Sequence, residues 1–146
     1  MSNSIVLESA DEFVRLRCSE IDGEQFIASW GIATFEIWKE VIDNHPRMRM
    51  WVAHNKTIPD EIIRILAVDR DRRVRSMIAS KRRAPSDVLA ILAKDEDETI
   101  RRSVAGHRNT TADTLATMLN DEWSVVAEIA KERLTEINAT SLTKSK

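Results

Sequence analysis

Apolar residues along this chain return every 26 positions. Val52, Ile78, Val104 and Ala130 fall on that step, as do Ala53, Ala79 and Ala105. So do Ile63, Leu89 and Leu115; Leu66, Leu92 and Met118; and Met48, Val74, Ile100 and Val126. Polar positions keep the same step: Arg49, Arg75 and Arg101; Pro59 and Pro85; Asp43, Asp69, Asp95 and Asp121; Asp71 and Asp97. So many coincident columns define an internal repeat. Three clear units result, 49–74, 75–100 and 101–126, after a half unit at 34–48 and before a partial one at 127–134.

Within a unit the apolar spacing is helical, twice over. "VRSMIAS" puts Val74, Met77 and Ile78 on one face, and "PSDVLAILAKD" makes a broad stripe of Val88, Leu89, Ile91, Leu92 and Ala93. Pro59 and Pro85 fall where a second helix would begin, a position that tolerates a missing N–H. Asp69, Asp95 and Asp121 close the second helix and precede the next first helix, whose free N–H groups they can accept. A strand of L-x-L alternation, as in ordinary leucine-rich repeats, does not fit "EIIRILAV" or "DVLAILAK". One helix pair cannot bury its stripe alone, but stacked pairs can. The pattern predicts an all-α fold, a right-handed α-α superhelix of about three to four such repeats. Asp69, Asp71, Arg75, Asp95, Asp97 and Arg101 are then expected to form a structural ladder between adjacent repeats.

Residues 1–33 lie outside the repeat. "ESADEFVRLRCSEI" carries a capping box, Ser9 with Glu12, before an apolar face of Phe13, Leu16 and Ile21. It predicts a helix covering the open end of the stack. "GEQFIASWG" predicts a second, ended by Gly31. The domain plan is therefore a helical cap at 1–33, repeats at 34–134 and a flexible polar tail at 135–146.

Composition narrows the class. Only three glycines and three prolines in 146 residues argue against an all-β sandwich, whose turns need both. Cys18 stands alone, so no internal disulfide forms and a zinc site would lack its usual sulfurs. No apolar run approaches the roughly 20 residues that span a bilayer, and the first residues lack a basic region and a long apolar one. A cytoplasmic, membrane-free setting is expected. Charge is uneven: residues 1–46 hold three basic and nine acidic side chains, 47–111 fifteen and nine, 112–146 four and six. Such asymmetry can steer charged partners to one part of a surface.

"VRSMIAS…APSDVLAILAKDEDETIRRSVAG" resembles the leucine-rich repeat variant and related short HEAT-like repeats of bacteria, whose pattern runs roughly VRxxVAxNxxTPxxxLxxLAxDxD. The resemblance covers about residues 34–134 and implies a curved helical scaffold that binds other molecules. Some members hold an iron–sulfur centre on a cysteine cluster, which Cys18 alone does not supply. The pattern fades in the last unit, where Thr111 replaces the proline and Trp123 replaces Asp71 and Asp97. Together with "EVIDNHPRMRMWVAHNKTIPDEI", the N-terminal arrangement is similar to small HEAT-like immunity proteins that accompany bacterial polymorphic toxins.

Candidate interaction residues fall in three groups. Asp22, Glu24, Glu36 and Glu40, with Asp11, Glu12 and Glu20, would meet a basic partner such as a nuclease toxin, or simply serve helix starts. Lys56, Arg82 and Arg108 share one repeat phase, with Lys81, Arg83 and His107 beside them. They form either a basic ridge or ordinary solvated loops. Trp38 shares its column with Arg64, Ala90 and Ala116, which should point outward; it is an exposed anchor unless the N-terminal helix covers it. Trp51 belongs with Met77, Ser103 and Ile129 in the core, Trp30 and Trp123 with the ends, and Cys18 is expected as a buried or semi-buried thiol. His45, His54 and His107 lack a metal spacing, and no phosphate loop, nucleophile elbow or HExxH motif occurs. The reading is a non-catalytic protein-binding module without cofactor, metal or small-molecule substrate: an immunity protein that neutralises a cognate bacterial toxin. The resemblance also allows a HEAT-like DNA glycosylase. Lys56, Arg82, Arg83 and Arg108 would then grip phosphates and Trp38 would lie near a base. A net charge of −2 and a pI near 6.0 weigh against nucleic acid. A scaffold or lyase accessory protein is the third reading.

Overall fold

A computed structural model of the chain describes residues 4–145, which hold ten α-helices and no β-strand. The fold is all-α. Two compact units divide the chain between Met77 and Ile78, inside the sixth helix. Unit 1 contains α1 (Ala10–Cys18), α2 (Glu24–Trp30), α3 (Phe35–Asn44), a 3-10 turn (Pro46–Met48), α4 (Arg49–His54), α5 (Asp60–Leu66) and most of α6 (Arg72–Ala79). Unit 2 takes the end of α6, then α7 (Ser86–Leu92), α8 (Glu98–Gly106), α9 (Ala112–Thr117) and α10 (Ser124–Lys144).

Helix starts follow local chemistry. The Ser9 hydroxyl accepts the Glu12 N–H at 3.1 Å, while the Glu12 carboxylate accepts the Glu8 N–H at 2.7 Å, one residue before the cap. Pro59 and Pro85 are themselves the cap residues of α5 and α7, in extended backbone, one step earlier than predicted. In the same column Thr111 caps α9 through its hydroxyl, which accepts the Thr114 N–H at 3.2 Å. The loss of proline in the last repeat is thus the gain of a side-chain cap.

The 26-step columns are the core of both units. Val52, Ile78, Val104 and Ala130 are fully buried, as are Ile63, Leu89 and Leu115. In unit 1, α1 packs on α3 through Phe13 and Trp38, whose rings meet edge to face at 5.1 Å. Residues 5–7 and 31–32 lie side by side in extended form: Leu7 N–H donates to the Ile32 carbonyl and Ile32 N–H to that of Ile5, both at 2.8 Å. Gly31 is needed there for space, since a Cβ would stand 2.6 Å from the Leu7 side chain.

The C-terminal segment differs from the expected tail. Residues 135–144 continue α10. Their hydroxyls fold back onto the helix, as when Thr135 and Thr140 each donate at 2.9 Å to the carbonyl four residues earlier. Polarity there signals an exposed helix rather than a frayed chain. No helix among the described residues is long and apolar enough to cross a membrane.

Candidate functional site

Two surfaces stand out, one in each unit, and both are framed by the hydrogen bonds that the repeat brings back. The side chains of Asp69, Asp95 and Asp121 each accept the N–H two residues on, at 2.8, 2.9 and 2.9 Å. Arg75 and Arg101 each reach back to the carbonyl of the preceding Asp69 or Asp95 at 2.9 Å. Arg101 also grips Asp121 with two bonds, of 2.7 and 3.0 Å, and Arg49 stands 3.6 Å from Asp69. The Arg101 fork holds the Asp121 carboxyl below the usual carboxylate range, against the opposing push of burial. Asp71 and Asp97 serve as helix caps. Asp71 accepts from Arg73 N–H and meets the Arg73 guanidinium at 2.9 Å, and Asp97 accepts from Thr99 and Ile100 N–H.

A second recurring set laces the loops after the first helix of each pair. In unit 1 the buried Asn55 donates to the carbonyls of Ala28 and Gly31 at 2.8 and 3.0 Å. Its carbonyl oxygen accepts the Thr57 N–H at 2.8 Å. In unit 2 His107 and Asn109 occupy the columns of Asn55 and Thr57. His107 Nδ1 accepts the Asn109 N–H at 3.0 Å, so Nε2 carries the proton and donates to the Lys81 carbonyl at 2.9 Å. Asn109 donates to the carbonyls of Arg82 and Ala84. Of the residues that tie these loops, the sequence pattern singles out His107 beside the cations but not Asn55, Thr57 or Asn109, although Asn55 and His107, like Thr57 and Asn109, lie two 26-residue steps apart.

The first surface is the outer face of α2. Arg15 pairs with Glu24 at 3.0 Å, Arg17 donates to Gln25 at 2.7 Å, and only Ala28 of α2 is buried. Glu24, one of the predicted contact residues, is therefore half-covered, and the Ser19 hydroxyl followed by Arg15 lowers its pKa. Phe26 and Trp30 are left outward at 62% and 48% exposure, with ring centroids 6.1 Å apart. Val6 and Ile32, bridge partners, are exposed too, as are Ile5, Ile21 and Phe35. Seven of the eleven large apolar side chains exposed among the described residues fall within residues 5–35. Asp22 is exposed in the same stretch, and Glu36 and Glu40 are exposed just after it. Such a concentration of exposed apolar side chains in one segment, with Phe26 beside Trp30 and Val6 beside Ile32, differs from the singly scattered apolar residues of an ordinary surface.

Trp38 is corrected by the structure. It has no exposed surface, because Phe13 of α1 covers it, so it cannot be a contact residue. Arg64 and Ala116 of its column are exposed as predicted; the repeat rule holds until the cap replaces solvent. Trp51 is half-buried, not core, with the Arg17 guanidinium 3.3 Å above its ring. Cys18 is exposed rather than buried.

The second surface is an open groove of about 540 Å³ in unit 2, lined by Arg82, Arg102, Arg108, His107, Ser80 and a floor that includes Ile129. Arg82 and Arg108 were expected to act together and do line one groove; Arg102 joins them. Arg83 and Lys56 are exposed, and neither is in its lining. Among the described residues no three His, Cys, Asp or Glu side chains stand close enough to hold a metal ion. No protein-family model matches the chain, and no curated protein or solved structure matches it either.

Proposed function

We propose that the chain is a HEAT-like α-solenoid of 26-residue helical pairs that binds another protein without catalysing a reaction, and that its role is that of an immunity protein neutralising a bacterial toxin domain in the cytoplasm. The repeat support is the return of the same Asp and Arg hydrogen bonds at Asp69, Asp95 and Asp121. The observation that carries the function is the outward pair Phe26 and Trp30 on an otherwise pinned α2, among exposed Ile21, Ile32 and Val6. Aromatic anchors that a fold leaves in water at a cost are the residues that dominate protein interfaces.

The fringe of this patch says what kind of partner fits. Residues 1–46 carry nine acidic against three basic side chains, and Asp22, Glu36 and Glu40 are exposed. A basic protein surface is complementary, and steering by opposite charge speeds its arrival. Nuclease toxin domains, which grip phosphates, have such a surface.

Co-expression with the toxin domain encoded beside this chain tests the reading. The wild-type chain should protect the cells. The Phe26→Ser/Trp30→Ser double variant should fail, each anchor costing about 2 kcal/mol or roughly thirtyfold in Kd. Absence of protection by the wild type sinks the immunity role. Full protection by the double variant keeps that role and removes α2 as its surface.

A further inference from the structure

Arginine is used in two ways in this protein. Arg101 is met by Asp121, Arg73 by Asp71 and Arg49 by Asp69. Arg82, Arg102 and Arg108 are not: among the described residues, no carboxylate pairs with any of the three, and none lines their shared groove. The comparison within the molecule is direct. A groove of about 380 Å³ in unit 1 is lined by Arg47, Arg49, Arg70 and Arg73, but also by Asp69 and Asp71. Its charge is partly met from within; that of the unit 2 groove is not.

From this contrast we infer that the groove of Arg82, Arg102 and Arg108 binds a phosphate-bearing anion, a site separate from the α2 face. The groove's own groups do not neutralise it. Its wall includes the ends of α6 and α8, at Ala79 and Gly106, and two helix C-termini supply about one negative charge between them. Three guanidiniums leave an excess of about two positive charges. Like charges gathered at one concavity raise the local potential, and a counter-anion relieves it. A phosphate monoester carries about −1.5 to −2 and presents tetrahedral oxygens to several forks at once. A lone carboxylate offers half that charge. Ser80, also in the wall, supplies a hydroxyl. The volume suits a phosphate or diphosphate with part of what it is attached to.

Such a group could come from a free small phosphate or from a nucleic-acid backbone. The full chain is titrated with inorganic pyrophosphate by calorimetry, and with labelled single- and double-stranded oligonucleotides by anisotropy, all at constant ionic strength. Polyglutamate is the carboxylate probe. The Arg102→Gln/Arg108→Gln variant should weaken phosphate binding about tenfold or more. Both positions are exposed, so folding, checked by circular dichroism, is expected intact. Lys94→Gln/Lys131→Gln removes the same charge outside the groove lining and should change binding less than about twofold. Pyrophosphate binding without oligonucleotide binding supports a free-anion site. Oligonucleotide binding whose affinity falls with salt at a slope near −3 supports a backbone site. Equal losses in the two variants, polyglutamate bound as tightly as pyrophosphate, or no probe bound at all, overturns the inference.

Discussion

The N-terminal helices and the repeats place side chains by opposite rules. In the repeats, the apolar residues at Val52, Ile78, Val104 and Ala130 are buried, and Arg49, Arg75 and Arg101 each have a carboxylate or carbonyl partner. In α2 and its neighbours, Phe26, Trp30 and Ile21 face water. A regular stack can satisfy itself, because each unit presents what the next requires. An end unit has one neighbour fewer. At the N-terminal end α1 packs on α3 through Phe13 and Trp38, and α2, tied by Arg15, Arg17 and Asn55, buries only Ala28. The difference teaches where function can sit in such a chain: in the positions that break the repeat, α2 among them, and in the cations that the repeat does not answer.

The most severe way to break this comparison is at the junction of α1 and α3. Trp38→Ala should cost about 3–5 kcal/mol in urea unfolding, since the ring is wholly buried and its removal leaves a cavity under Phe13. Trp38→Phe should cost much less. The Trp38 Nε1–H is buried without a hydrogen-bond partner, and removing an unsatisfied donor returns about 1–3 kcal/mol against the lost apolar area. A Trp38→Ala chain of near wild-type stability would mean that the cap does not hold the end of the stack.

The repeat side is tested next, at a smaller expected effect. Arg101→Ala leaves Asp121 at 8% side-chain exposure without its fork and should cost about 2–3 kcal/mol. The pH dependence has a defined sign. The native Asp121 carboxyl titrates below its unfolded value, so its contribution is present above an unfolded pKa of about 3.9 and fades as pH falls through the lower native value. Wild type and Arg101→Ala should therefore converge in stability in acid, and a constant gap from pH 7 to pH 3 would assign the loss to packing instead. Arg15–Glu24 offers the contrast: with the Arg15 side chain 60% exposed, its removal should change stability little.

Legibility in the sequence divided along the same line. The helices, their 26-step core and the aspartates at their starts were readable because a repeated unit reports each position several times over. The column alone leaves Trp38 either outward or covered by the N-terminal helix, and only the contact with Phe13 of α1 decides for covered. Pro59 and Pro85 were placed one residue late because N-cap and N1 both tolerate proline. The polar C-terminal segment read as a tail because serine and threonine favour turns; nothing in composition says that their hydroxyls return to the helix carbonyls. Phe26 was invisible as a contact residue, since an apolar residue in a short helix reads as core until the buried face is known to be Ala28 alone. Arg102 was missed because its repeat partners, Ser76 and Glu128, share no chemistry with it.

The sharpest test of the comparison is a change that should cost little for the size of the side chains it removes. Phe26→Ser/Trp30→Ser removes two large apolar side chains, which in a core would cost several kcal/mol together. On α2 they are 62% and 48% exposed. The residual burial and the ring contact between them amount to about 3 kcal/mol for the pair, and serine lowers helix propensity by a few tenths more. Unfolding should therefore shift by about 3 kcal/mol, or about 1.5 kcal/mol for each side chain, while the isolated chain becomes more soluble. Val52→Ser is the matched single change inside the repeat, at a fully buried position, and should cost more than either α2 substitution alone. If Phe26→Ser or Trp30→Ser alone proves as damaging as Val52→Ser, these side chains are buried in solution, by α2 closing on its own unit or by a second copy. Sedimentation separates these cases: a wild-type dimer that the variant abolishes makes the apolar face a self-interface, whereas a monomer in both leaves α2 as part of the core.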